Sequence, residues 1–269
     1  MARLARTLWS MSEQRLRIDR ESGGRVAVVV LTRPEKHNAL DRAMFDAIDA
    51  ATIEIRELAE AGEINAVVLR GEGKSFCSGL DVAAILGGGA DFSTATSALL
   101  QKNDEADIAN LVQRVGYAWK AVPVPVIAAL HGNVLGGGLQ IALGADLRIA
   151  TPDAKLSIAE IRWGLIPDMA LTTALPKLIG IDHAKELTFT GRNISGADAA
   201  AIGLVTRTAE DPAAEALALA TEIAEKSPLA VRRAKTLFDQ VWEASDAERL
   251  ATEERLQREI LDAVAAASA

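Results

Sequence analysis

Residues 131–168, HGNVLGGGLQIALGADLRIATPDAKLSIAEIRWGLIPD, constrain this chain more than any other stretch. The apolar run Val126–Leu130 reads as a short buried strand, and it leads into three consecutive glycines, Gly136, Gly137 and Gly138. Behind them an apolar segment at about 139–145 reads as a helix. The first amides of a helix lack intrahelical partners and the positive end of its dipole lies there, while glycine lets a ligand come close. Such a place favours developing negative charge. Further on stand Glu160 and Asp168, with the apolar WGLIP between them. A site for an anion followed by candidate proton carriers points to chemistry that passes through an enolate.

The glycine triplet matches neither of the glycine-rich phosphate loops, G-x-x-x-x-G-K-[ST] or G-x-G-x-x-G, and by itself serves equally well for tight strand-to-helix packing. A formal charge of −8 over 269 residues leaves no basic stripe to replace phosphate counterions, so nucleic acid is excluded as the main partner. An anionic ligand needs local positive charge instead. One cysteine, Cys77, rules out an internal disulfide, and three scattered histidines make no ligand cluster, so no metal is expected. This composition suits a reducing, cytoplasmic setting. The apolar run 122–130 is about half a membrane span and contains Pro123 and Pro125, so no transmembrane helix is expected. Residues 1–12 carry Arg3 and Arg6 but too short an apolar stretch for a signal peptide; they are expected to be disordered, and Met11 offers a second start.

Along the chain, 16–19 and 26–32 read as a hairpin turned at Ser22, Gly23 and Gly24. The polar RPEKHNALD ends in Asp41, an N-cap for a helix whose apolar positions Met44, Ile48, Ala51, Ile55 and Leu58 share one face, with Gly62 at its end. A strand at 66–69 runs into a Gly-rich loop and a short helix from about Asp81; 87–97 has the composition of a mobile loop; and a helix is expected at 98–121. Helices at 182–190 and 195–201 and a strand at 204–206 follow, after which the chain reads as helices alone at 212–226, 229–244 and 246–265. The reading is therefore an α/β core over 13–207 and a helical region over 208–269 suited to oligomerisation. Ser78 stands in no G-x-S-x-G, so its backbone interests more than its hydroxyl, and His131 at a strand end reads as a structural hydrogen-bonded residue.

In combination, RPEKHNALD, GKSFCSGLDV, AALHGNVLGGGLQIALGADLRIA and AEIRWGLIPD resemble the enoyl-CoA hydratase/isomerase superfamily, the crotonases, over roughly residues 14–260. The resemblance implies a spiral of ββα units with a helical C-terminal region, assembled as homotrimers or as hexamers built from two trimers. It implies an acyl-CoA substrate, with the coenzyme A thioester as substrate and no separate cofactor. It places an oxyanion hole at the backbone N–H groups of Ser78 and Gly137, adenine contacts on Ser78, Gly79, Leu80 and Asp81, and phosphate contacts on Arg33 and Lys36.

The departures from the family pattern bear on the reaction. Hydratases of this family use two glutamates; the second is matched by Glu160, whereas the first position holds Gln140, an amide that cannot exchange a proton. Isomerases of the family work with one carboxylate at the position of Glu160, and Asp168 falls where dienoyl-CoA isomerases have a second acid. A proton shuttle of this kind needs a carboxylate against an apolar wall, here expected from Trp163, Leu165 and Ile166. For Asp168 the plainer reading is an exposed loop residue or a helix N-cap near Ala170. The expected catalytic set is Glu160 and Asp168, with Gln140 orienting a water. The expected activity is a double-bond shift in an enoyl-CoA or dienoyl-CoA; hydration of a 2-enoyl-CoA in fatty acid oxidation, or acyl-CoA binding without turnover, are the alternatives. The wall that sets acyl length is expected from 85–115, and the C-terminus lacks the Phe and basic residues with which many members cover CoA.

Overall fold

A computed structural model of the chain describes residues 14–86, 100–102, 104 and 107–268. The disorder expected of 1–12, the mobile loop of 87–97 and the start of the expected helix at 98 lie outside those residues.

The valine-rich run after the Ser22–Gly24 turn folds back on the strand before it, because β1 (Leu16–Glu21) and β2 (Val26–Leu31) pair antiparallel in the expected hairpin. Helix α1 (Arg42–Glu60) then begins where Asp41 predicts: its side chain accepts from the Met44 amide at 2.8 Å. Met44, Ile48, Ala51 and Ile55 are buried on one face, as their spacing requires. β3 (Ala66–Gly71) is followed by α2 (Val82–Leu86), α3 (Leu111–Tyr117), β4 (Val126–Leu130), β5 (Asn133–Leu135) and α4 (Gly137–Leu143). Next come β6 (Leu147–Ala150), β7 (Lys155–Ser157), α5 (Ile181–Thr190), β8 (Ile194–Ser195), α6 (Gly196–Ala201) and β9 (Arg207–Thr208).

The strands form a six-stranded sheet in the order β1-β2-β3-β4-β6-β9, parallel after the first pair, and a three-stranded sheet in the order β5-β7-β8. After β4 and again after β6 the chain leaves the large sheet for a strand of the small one, which is the turn of the spiral. Both faces of the large sheet are buried, which explains its unbroken apolar runs. Val29, Leu31, Leu69 and Ala128 face α1 and the site, whereas Val28, Val30, Val68 and Ile127 face Ala216, Ala220 and Ala224 of α7 (Pro212–Ala224).

That second face is covered by residues beyond the expected boundary at 207/208. Helix α7 closes the core of the large sheet, so the core continues to Ala224, and the outlying helices are α8 (Pro228–Val241) and α9 (Asp246–Ser268). Two expectations shift. α3 begins at Leu111 because Asn110 and Gln113 form a reciprocal capping box, which stops the helix from extending back through 109. The strand expected at 204–206 is displaced to Arg207–Thr208, because Leu204 and Val205 are core residues and Thr206 bonds back to Arg148. Between 171 and 177 the chain makes two 3-10 turns. Among the described residues no helix is long and apolar enough to cross a membrane.

Candidate active site

The site is assembled from two loops that one asparagine ties together. Asn38 is fully buried and left-handed (φ 55°), a conformation that asparagine tolerates better than most residues. Its Nδ2 donates to the carbonyls of Glu72, Ser75 and Phe76 at 3.0, 2.8 and 3.1 Å, and its Oδ1 accepts from the Arg33 amide at 2.8 Å. The two loops then run side by side: Ser78 N donates to His37 O (3.0 Å), Leu40 N to Gly79 O (2.8 Å) and Asp81 N to Leu40 O (3.0 Å). On its other side the second loop bonds to β5, Cys77 N to Asn133 O and Leu135 N to Cys77 O, both at 3.0 Å.

These bonds decide which amides stay free. The Ser78 amide, expected to hold an oxyanion, is spent on His37, because left-handed His37 (φ 51°) turns its carbonyl toward the second loop. Among the described residues the Leu80 amide has no hydrogen-bond partner, and neither has that of Gly137. Gly137 is the first residue of α4, which starts two residues earlier than the expected 139, with Gly136 as its N-cap. Two glycines make the approach of loop and helix possible. A Cβ on Gly138 would stand 2.4 Å from the Cys77 carbonyl oxygen, and one on Gly79 (φ +87°) would stand 2.7 Å from Leu135 O and 3.7 Å from Gly137 N. Leu80 and Gly137 both line one cavity.

Across that cavity lies the carboxylate side. Glu160 opens a 3-10 turn, Glu160–Trp163, that follows β7. Its Oε1 accepts from Gln140 Nε2 at 2.7 Å, while its Oε2 is buried with no partner. Gln140, 2% exposed on α4, accepts in turn from the Met169 amide at 2.8 Å. Burial, reinforced by the charge of Asp168, lifts the Glu160 carboxyl above the usual carboxylate range, against the pull of its own backbone and of Gln140. Asp168 stands at the rim, more open to solvent, and partial burial raises it as well. The structure thus brings Gln140, Glu160 and Asp168 to one place, as expected.

The cavity measures about 430 Å³, with apolar walls that include Phe45, Leu80, Val112, Trp163, Leu165 and Met169. Trp163 and Ile166 do line it as expected, although they leave 64% and 73% of their surface exposed. Of the segment 85–115 expected to set acyl length, Leu100 and Val112 reach the cavity, and much of the rest lies outside the described residues. Cys77 is no nucleophile: burial pushes its thiol up to about 12, and Sγ donates to Asn38 O at 3.1 Å.

The expected CoA contacts divide. Arg33 is buried, with Nη1 2.7 Å from Asp81 Oδ2 and 3.0 Å from Ala39 O, and Nε 3.6 Å from Asp41 Oδ2. Its charge is therefore paired within the two loops. Burial pushes the Asp81 carboxyl up, but the Ala84 amide and Arg33 together hold it below its ordinary value, so Asp81 caps α2 and anchors Arg33. Lys36 is exposed, and its charge helps to lower the Asp81 carboxyl. Gly79 and Leu80 line the cavity.

Four participants escaped the sequence reading: the free amide of Leu80, the Asn38 clamp, the His37 carbonyl and the Met169 amide. The signal for the first three was the pair His37-Asn38 in a polar loop, where Asn favours a left-handed turn. Nothing local announces Met169.

Residues 21–266 match the family described as Enoyl-CoA hydratase/isomerase. YngF of Bacillus subtilis (strain 168), a proposed enoyl-CoA hydratase/isomerase, is 36% identical over 235 residues, 86% of this chain and 84% of that protein. The mitochondrial Δ(3,5)-Δ(2,4)-dienoyl-CoA isomerase of Mus musculus is 34% identical over 219 residues, 77% of this chain and 63% of that protein. A proposed enoyl-CoA hydratase of Thermobifida fusca YX, solved in complex with CoA, superimposes with a TM-score of 0.79 at 27% identity, covering 95% of this chain and 96% of that one. With its α/β spiral, its helical C-terminal region and a sequence that fits from residue 21 to residue 266, this chain belongs to the enoyl-CoA hydratase/isomerase family of the crotonase superfamily.

Proposed function

We propose that the protein binds an acyl-CoA and shifts a double bond along its acyl chain. The thioester oxygen lies on the amides of Leu80 and Gly137, whose hydrogen bonds stabilise the negative charge that gathers there. Glu160 takes a proton from an acyl carbon, the electrons of that C–H bond move toward the oxygen as a dienolate, and the same proton returns at another carbon. Nothing is added or lost. Asp168 at the rim supports the transfer when the double bonds extend further from the thioester.

One observation carries this reading: where two-carboxylate chemistry needs a second proton carrier, the buried neighbour of Glu160 is Gln140, bonded to Glu160 and Met169, so one buried carboxylate does the work. The CoA complex of the Thermobifida fusca relative supports the acyl-CoA class. The dienoyl-CoA isomerase relative supports the double-bond shift, and relatives named as hydratases support hydration as the second reading. We also propose a homotrimer or a pair of trimers, supported by the exposed Phe238 on α8, Trp242 at its C-terminal cap, and Leu250 and Leu261 on α9.

The test is incubation of the purified protein with 2-enoyl-, 3-enoyl- and 3,5-dienoyl-CoA, with products separated by chromatography and identified by mass and by conjugation absorbance. Isomers of unchanged mass from the second and third substrates are expected. A product heavier by one water from the first, formed at an ordinary enzymatic rate, would overturn the isomerase reading in favour of hydration. Binding of all three without a product would show a protein that has kept the fold and lost turnover.

A further inference from the structure

The orientation of the Gln140 amide is fixed by its neighbours. The Met169 N–H is a donor and nothing else, so the atom facing it at 2.8 Å must be the Gln140 oxygen. The NH2 group is left to face Glu160 at 2.7 Å, and a flip would set NH2 against N–H. An NH2 group donates and cannot accept, so Glu160 Oε1 faces it as an acceptor, and a proton on Oε1 would have to point away from Gln140 and give up the stronger bond to a carboxylate oxygen. Oε2 lies buried without a partner. Both groups are held by the fold, because Gln140 is buried on α4 and the backbone at Glu160 is set by its 3-10 turn.

We infer that Gln140 is a positioning residue that gives the two oxygens of Glu160 different, fixed tasks: Oε1 is a permanent acceptor, and Oε2 is the atom that takes and returns the substrate proton. This rests on the proposed proton shuttle, but the clamp itself is a property of the free protein. It confines the proton to one atom on one face of the substrate, so removal and return use the same lone pair. The balance is closed: the proton leaves carbon for Oε2 as the C–H pair enters the dienolate, and it leaves Oε2 for another carbon as the dienolate pair forms the new C–H bond. The clamp also steadies the ionised state in a place that otherwise disfavours it, which keeps Glu160 ready to accept.

The test pairs two variants and two readouts. Gln140→Glu keeps an acceptor for Met169 but turns an acidic oxygen toward Glu160, and Gln140→Met removes donor and acceptor while keeping the length. Titration of Glu160 in the substrate-free protein, followed by NMR of carbon-labelled glutamate and assigned with Glu160→Gln, is expected to show its pKa higher by about one to two pH units in both variants. The ascending limb of kcat for isomerisation is expected to move up by the same amount, with KM changed less than about threefold. If Gln140→Glu does not fold, Gln140→Met alone decides. An unmoved titration, or a kcat lowered equally at all pH values, would reduce Gln140 to a packing residue and overturn the inference. If the titration moves as expected but the wild type isomerises none of the thioesters, the clamp stands and the isomerase reading falls.

Discussion

Replacing Glu160 with glutamine separates the catalytic task of its carboxyl from the cost of holding that carboxyl in the fold. The amide fills the same space, and its carbonyl oxygen accepts from Gln140 Nε2 where Oε1 now does, at 2.7 Å. It cannot carry a proton, so turnover is expected to fall by about 10²–10⁴-fold, a barrier increase of about 3–5.5 kcal/mol, with little change in KM. Stability is expected to move the other way. Because burial raises the folded-state pKa of Glu160, the stability its protonation contributes is fully present below the unfolded value, about 4.3, and is lost as pH rises through the folded value. Near neutral pH the wild type therefore bears a penalty of about 1.4 kcal/mol for each pH unit of that displacement, and the neutral variant does not. Burying the new NH2 without a partner costs about 1–3 kcal/mol at every pH and subtracts from that benefit. For a chain of this size each kcal/mol of difference moves Tm by about 2–4 °C. Thermal melts of both proteins between about pH 4 and about pH 8, read beside turnover, give the comparison. The melting difference should move in the variant's favour as pH rises, and at the lower end, where both side chains are neutral, only the cost of the unpaired NH2 should remain. A melting difference that does not change with pH would refute the argument that the fold resists the Glu160 charge; retained turnover would remove Glu160 as proton carrier.

Asp168→Asn removes a charge that helps to raise Glu160, so the ascending limb of the kcat profile should move to lower pH as kcat falls. Full activity with an unmoved limb would return Asp168 to the surface. Arg33→Ala leaves Asp81 without its ion pair in a largely buried place and should lower stability by about 3 kcal/mol in denaturant melts, whereas Lys36→Ala should leave stability within about 0.5 kcal/mol and raise KM for acyl-CoA at constant kcat. Equal stability losses would contradict the division of labour between the two cations. Gly138→Ala sets a Cβ 2.4 Å from the Cys77 carbonyl oxygen; it should cost about 1–3 kcal/mol of stability and lower kcat as well, because the Leu80 loop is pushed off α4. A stable and fully active variant would show that loop and helix need not touch.

The fold was legible where local chemistry is strong. The Asp41 cap, the buried face of α1, the hairpin and the strand at Val126–Leu130 follow from periodicity and capping, and the residues that carry the family pattern lie at the loop and helix starts that build the cavity. Legibility ended where a local pattern is settled by a distant partner. Whether Ser78 or Leu80 offers a free amide depends on a bond from His37, about forty residues away, and Arg33 looks like an exposed cation until Asp81 folds against it. Gln140 was visible as a missing carboxylate, but its hold on Glu160 needed the Met169 amide, which the chain delivers only after a stretch of irregular turns. The alanine face of α7 reads as a helix anywhere, and only the second apolar face of the large sheet makes it part of the core.

The most direct test of the central claim is a crystal structure with an unreactive acyl-CoA analogue that keeps the thioester oxygen. The account predicts that oxygen about 2.7–3.1 Å from both the Leu80 and the Gly137 amide, with the acyl carbons next to it facing Glu160 Oε2 and the Ser78 amide still on His37. A thioester oxygen held by Ser78, or an acyl chain turned away from Glu160, would contradict it.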